Sequence, residues 1–130
     1  MAERSVISTD RAPAAVGAYS QAIRTGDLVF TAGQLGIDPA SGEFSGPDVA
    51  GQAEQALANL SAILEASGSG LDRLVKVTVF LADIADWPAL NAVYSRLVPE
   101  PFPARSAFAV KDLPRGARVE IEAIAVVGPG

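Results

Sequence analysis

A chain of 130 residues, 49% of them hydrophobic, suits one globular domain spanning 1–130 with a single core. Its formal charge of −5 and pI near 4.6 argue against a broad phosphate-binding face, so no nucleic-acid partner is expected and only a local basic pocket for a small anion is left open. The sequence holds no histidine and no cysteine, which removes imidazole acid–base work, thiol nucleophiles, disulfides and the commonest transition-metal ligands.

The opening stretch MAERSVISTDRAP has no apolar core of signal-peptide length, and no later apolar run approaches membrane-spanning length. The expected location is the cytoplasm, with no membrane partner. An additional N-terminal strand fits at Ser5–Ser8, and Tyr19–Ile23 and Leu28–Gln34 read as strands joined by the turn at Thr25, Gly26 and Asp27. Residues 36–48, GIDPASGEFSGPD, concentrate Gly, Pro, Ser and Asp and predict a surface loop. Pro47 then suits the first turn of a helix. Val49, Ala53, Ala56, Leu57, Leu60, Ile63 and Leu64 keep helical spacing, and the run stops at Ser67, Gly68, Ser69 and Gly70, where glycine supplies a left-handed cap.

Leu74–Ala82, LVKVTVFLA, is rich in β-branched residues and sets Val75, Val77, Val79 and Leu81 on one face, with Thr78 and Phe80 on the other. Asp86 is placed to cap a second helix, with Pro88 tolerated in its first turn and Leu90, Val93, Tyr94 and Leu97 as its apolar stripe. Pro99, Pro101 and Pro103 end it. Two more strands follow, Ala104–Val110 and Val119–Val127, separated by the turn-prone KDLPRGAR. Two helices can cover one face of this sheet, yet the strands around Val77 and at the C-terminus carry apolar residues on both. A second copy of the chain is the natural second layer, which predicts a homo-oligomer.

Phe102–Val126 joins an arginine in a small, apolar strand to carboxylates in the next. Arg105 shares its face with Ala107 and Ala109, so a ligand could approach the sheet there. A guanidinium grips a carboxylate through paired charge-assisted hydrogen bonds, each contributing about 1.5–3 kcal/mol. Spacing alone leaves two partners open for it: a ligand carboxylate, or Glu120 or Glu122 on the neighbouring strand. Those two glutamates share one face, where apolar neighbours could separate their proton affinities, or where they could simply pair with Arg118 and Lys76. Tyr19 and Asn91 each carry a polar end able to orient a substrate, although a half-buried aromatic and a solvated helix residue are the plainer readings. Gly33 and Gly36 in TAGQLG lack the ending of a phosphate loop and read as backbone-shape residues. Trp87 and Tyr94 read as core or interface anchors.

These segments together resemble the RidA (YjgF) family of reactive-intermediate deaminases over nearly the entire length. The resemblance rests on APAAVGAYSQA, FTAGQLGIDPASGE, NLSAILEASGSGLDRLVKVTVFLADI, LNAVY, and above all FPARSAFAV followed by RVEIEAIAV. It implies a chorismate-mutase-like α/β (α+β) fold, a mixed six-stranded sheet with two helices on one face, assembled as a homotrimer with ligand clefts between subunits. It implies hydrolysis of short 2-imino acids, or their enamine tautomers, to 2-keto acids and ammonia, without metal or cofactor. Pyridoxal-phosphate enzymes release such intermediates. On the same resemblance Arg105 binds the substrate carboxylate, Glu120 orients or deprotonates water, Tyr19 closes or polarises the pocket, and Asn91, Ala32 and Ala107 line it. Ala107 stands where many members have cysteine, which argues against thiol chemistry here, and Ala32 where they have serine, which removes one ligand hydrogen bond. Two rival functions are a non-catalytic module binding 2-keto acids and a ribonuclease or translation inhibitor, the latter disfavoured by the acidic charge and the lack of histidine.

Overall fold

The computed structural model describes residues 3–128; the outermost residues of the expected 1–130 domain, 1–2 and 129–130, lie outside them. In chain order the elements are β1 (Arg4–Ile7), β2 (Ala22–Thr25), β3 (Leu28–Thr31), β4 (Gln34–Leu35), α1 (Val49–Ala66), β5 (Leu74–Leu81), α2 (Trp87–Leu97), β6 (Ala104–Ala109) and β7 (Val119–Val126). Six strands form one sheet in the order β1-β2-β3-β7-β5-β6, and the two-residue β4 adds a seventh beside β7. Only β5 and β6 run parallel. That pair is joined by α2, as a parallel crossover requires.

Strict alternation along β7 decides the layering. Val119, Ile121, Ala123 and Ala125 are buried while Glu120, Glu122, Ile124 and Val126 are partly exposed. Val119, Ile121 and Ala123 pack with Val77, Val79 and Leu81 of β5 under Ala53, Ala56, Leu57 and Leu60 of α1 and Leu90, Val93 and Tyr94 of α2, while Ala125 packs with Ala62, Ile63 and Leu64 towards the end of α1. Both helices therefore lie on one face, as expected. The other face keeps Leu28, Phe30 and Phe108 more than a third exposed, with Phe80 and Phe108 meeting edge to face at 5.5 Å.

Pro47 stands outside the helix rather than in its first turn: α1 begins two residues on, at Val49, behind an N-cap formed by Asp48, whose Oδ1 accepts from the Gly51 amide at 3.0 Å. It ends as the glycine predicts. Gly68 has φ +83, and the amides of Ser69 and Gly68 return to the carbonyls of Leu64 and Glu65, a Schellman closure.

Four other sequence expectations shift. Tyr19 and Ser20 precede β2 rather than belong to it. Leu28–Gln34 is not one strand: Phe30 pairs Ile124 and Gln34 pairs Ile121, so residues 31–33 face only residues 122–123, and the extra residue is a bulge. The Thr31 hydroxyl accepts from the Ala123 amide at 3.0 Å, replacing a ladder bond the bulge removes. Val75 leaves the buried face of β5 because the register against β7 shifts between Leu74 and Lys76. Asp86 occupies the N-cap position of α2 without a side-chain cap bond, since its carboxylate is taken by Arg118 at 2.6 Å.

Candidate active site

Arg105 enters on β6, the sheet's edge strand. Its register partner on β5 is Val77, and Val77's partner on β7 is Ala123, both buried beneath the helices. Paired residues share a face, so Arg105 points to the helix side. There its Nη1 donates to Asn91 Oδ1 at 3.0 Å, and its guanidinium carbon lies 4.5 Å from the ring centroids of both Trp87 and Tyr94. Ala107, two residues on, packs against the core and shares with Arg105, Trp87 and Pro88 the wall of a surface hollow. The alanine keeps that wall shallow.

Glu120 follows the opposite logic. Its partner is Phe80, whose partner on β6 is Phe108, all on the face without helices. Within one chain Arg105 and Glu120 are therefore separated by the sheet, and the ion pair between them that spacing left open does not form. Glu122 takes the Glu120 side as well. Among the described residues neither glutamate joins a salt bridge: Arg118 pairs with Asp86, and Lys76 donates to Ser106 Oγ at 3.0 Å.

Glu120 lines a cleft of about 660 Å³ together with Tyr19, Ala32, Gly33 and Arg115. Burial raises the Glu120 carboxyl above its ordinary 4.5, and the nearby Glu122 charge pushes the same way. Gly33 makes this position available. A Cβ there would sit 2.3 Å from Glu120 Oε2 and 2.8 Å from Cδ, so any side chain would displace the carboxyl. Tyr19, 54% exposed, stands at the rim. The loop that carries it is tied down by Gln21, buried, whose side-chain amide accepts from the Thr9 amide at 2.7 Å and donates to the Thr9 and Pro13 carbonyls.

The predicted residues thus form two groups. Tyr19, Ala32 and Glu120 meet in one cleft; Arg105, Asn91 and Ala107 meet on the other side of the sheet. Sequence reasoning gave Gly33 only a backbone role and Trp87 and Tyr94 only a packing role, and it did not single out Arg115. One signal was present for the aromatics: Trp87, Asn91 and Tyr94 fall at i, i+4 and i+7 on α2, a single stripe. Arg115 had none. It adopts φ 58, donates to the Gly42 carbonyl at 3.2 Å and lies 5.4 Å from the Phe44 ring, contacts made across more than seventy residues. Among the described residues no cluster of three His, Cys, Asp or Glu has the geometry to hold a metal.

A family model described as Endoribonuclease L-PSP matches residues 9–127. A RutC family protein of Sinorhizobium fredii is 54% identical over 118 residues, covering 91% of this chain and 94% of that protein. A 2-iminobutanoate/2-iminopropanoate deaminase of Bos taurus is 52% identical over 126 residues, covering 97% and 92%. The crystal structure of RidA from an Antarctic Psychrobacter species superposes with a TM-score of 0.91 at 46% identity, covering 95% of this chain and 99% of that one.

Proposed function

The chain belongs to the Endoribonuclease L-PSP family, also called YjgF/RidA, and from that premise we propose that it is a deaminase hydrolysing short 2-imino acids, or their enamine tautomers, to 2-keto acids and ammonia. The observation that carries the reading is Arg105, held on β6 by Asn91 of α2 and lining a hollow together with the small Ala107. An imine carbon is already electrophilic, so catalysis reduces to holding the carboxylate and delivering water. Arg105 grips the carboxylate. Water adds to C2 while Glu120, its proton affinity raised by burial, takes the water's proton and the imine nitrogen gains one. In the carbinolamine so formed the C2 hydroxyl gives up its proton as the amino nitrogen takes one, the C2–N bond breaks, ammonia leaves and C2 becomes the ketone carbon. Tyr19 closes the cleft, and Asn91 holds the anchor.

Two observations support a homotrimer with clefts between subunits: the apolar face that no helix covers, and the separation of Arg105 from Glu120 by the sheet. A neighbour that sets its Arg105 edge against the Tyr19–Glu120 cleft makes one site from two chains. The reading also puts the protein in the cytoplasm beside the pyridoxal-phosphate enzymes that release such imines. No helix of the described residues is long and apolar enough to cross a membrane. Ribonuclease activity is the weaker reading, because a net charge of −5 and a carboxylate in the cleft both repel a phosphate backbone.

The test generates 2-iminopropanoate and 2-iminobutanoate with an amino-acid oxidase in the presence of semicarbazide. Wild type is expected to divert imine from the semicarbazone, and Arg105→Ala at equal oligomeric state is expected to lose that diversion. A correctly assembled wild type that diverts nothing would leave a carboxylate-binding module as the function.

A further inference from the structure

Among the described residues, the hydrogen bond and the two ring contacts of the Arg105 guanidinium all come from α2. Trp87 and Tyr94 are two turns apart, about 10 Å along the axis, yet each ring centroid lies 4.5 Å from the guanidinium carbon. Rings that start so far apart and reach the same carbon approach it from opposite sides. Between them, Asn91 on the intervening turn accepts from Nη1 at 3.0 Å. The guanidinium carbon is thereby flanked by two rings and one donor is taken by Asn91. Tyr94 is 2% exposed and its hydroxyl, buried, has no hydrogen-bond partner among the described residues. A tyrosine placed there with its polar end unsatisfied contributes through its ring.

We propose that Trp87 and Tyr94 are positioning residues, a two-ring clamp that locks the Arg105 guanidinium in one plane so that it meets the substrate carboxylate edge-on. The clamp rests on the carboxylate-anchor role given to Arg105 above. Stacking of a guanidinium on aromatic faces strengthens when water is excluded, and the clamp does so on both sides. Pre-setting the plane removes rotamer freedom that a free arginine would lose on binding. Because the carboxylate is held alike in the ground and transition states, the clamp acts on substrate affinity more than on turnover.

Trp87 is the sole tryptophan, so its emission reports directly on the clamp. Full-length wild type titrated with 2-oxobutanoate, read against free tryptophan in the same solution, is expected to show a saturable emission change that Arg105→Ala loses. In the imine assay Trp87→Leu is expected to raise KM about tenfold with kcat within about threefold, and Trp87→Phe to restore KM to within about threefold of wild type. A folding defect would act differently, reducing the active fraction and hence kcat while KM stays put. Unchanged KM in Trp87→Leu, or hydrolysis by wild type without a saturable emission change, overturns the clamp. Failure of the deaminase reading is seen separately, as wild type that diverts no imine: a saturable, Arg105-dependent emission change then still supports the clamp at a carboxylate-binding site, and its absence overturns both.

Discussion

Glu120 and Glu122 stand two apart on β7 and face the same way, so each feels the other's charge while apolar neighbours exclude water from one side. For Glu120, burial is the larger cause of its raised proton affinity and Glu122 the smaller. A carboxyl whose folded pKa exceeds its ordinary 4.5 holds its proton more tightly in the folded chain than in the unfolded one. Stability contributed by this group is therefore present at acid pH and falls as pH rises from 4.5 through the folded value. Glu120→Gln is expected to raise the thermal midpoint at pH 7 while abolishing imine hydrolysis, with the stability gain shrinking below pH 4.5. Ionised Glu120 is the form that accepts a proton, so activity should rise with pH across the same window. Glu122→Gln removes the repelling charge and should move that acid limb of kcat/KM to lower pH; a limb that does not move would assign it to the substrate. At this scale Arg105 and Glu120 could be singled out as candidates, because charge in an apolar strand stands out. Gly33 was legible only as a shape residue, since the carboxyl that fills its space lies 87 positions along the chain.

Among the elements, α1 is the one that places the cleft. Its apolar stripe was plain in the sequence, but the amides beside that stripe gave no signal of their own. Gln52 and Asn59 are buried. Asn59 donates to the carbonyls of Leu35 at 3.1 Å and Ile37 at 2.9 Å and accepts from Gln55 at 2.9 Å. Gln52 accepts from the Arg118 amide at 2.8 Å and donates to the Gly46 carbonyl. These amides fasten β4 and the loop after it onto the helix, and the close approach requires Gly36, where a Cβ would meet the Gln52 backbone at 2.4 Å. A strand of two residues has no period to read, so β4 and the bulge before it were invisible until their partners were known. Asn59→Ala strands two buried carbonyls and is expected to cost about 2–4 kcal/mol. The measurement is the denaturant midpoint at unchanged slope. A loss under about 0.5 kcal/mol would mean that water replaces the amide.

For the whole molecule, the sheet divides the site. Register alone puts Arg105, Val77 and Ala123 on the helix side and Phe108, Phe80 and Glu120 on the bare side, and no side-chain rotation carries a group through a sheet. The bare side keeps Phe30 40% and Phe108 45% exposed, an apolar surface that a partner of the same composition would cover. If each site takes Arg105 from one subunit and Glu120 from the next, two inactive chains can repair each other. In the proposed homotrimer, co-expression of Arg105→Ala with Glu120→Gln, under different tags, would yield mixed trimers in which a site is intact when its arginine comes from the second variant and its glutamate from the first. Every mixed trimer, whichever variant it holds twice, has about one site in three that meets both conditions, so the doubly tagged fraction should recover about a third of wild-type diversion while either variant alone recovers none. A site contained within one chain can never be intact in this mixture. Doubly tagged trimers, verified by native mass spectrometry, that remain inactive would therefore overturn the shared site, and the separation of Arg105 from Glu120 would then require a different proton acceptor on the arginine's own side of the sheet.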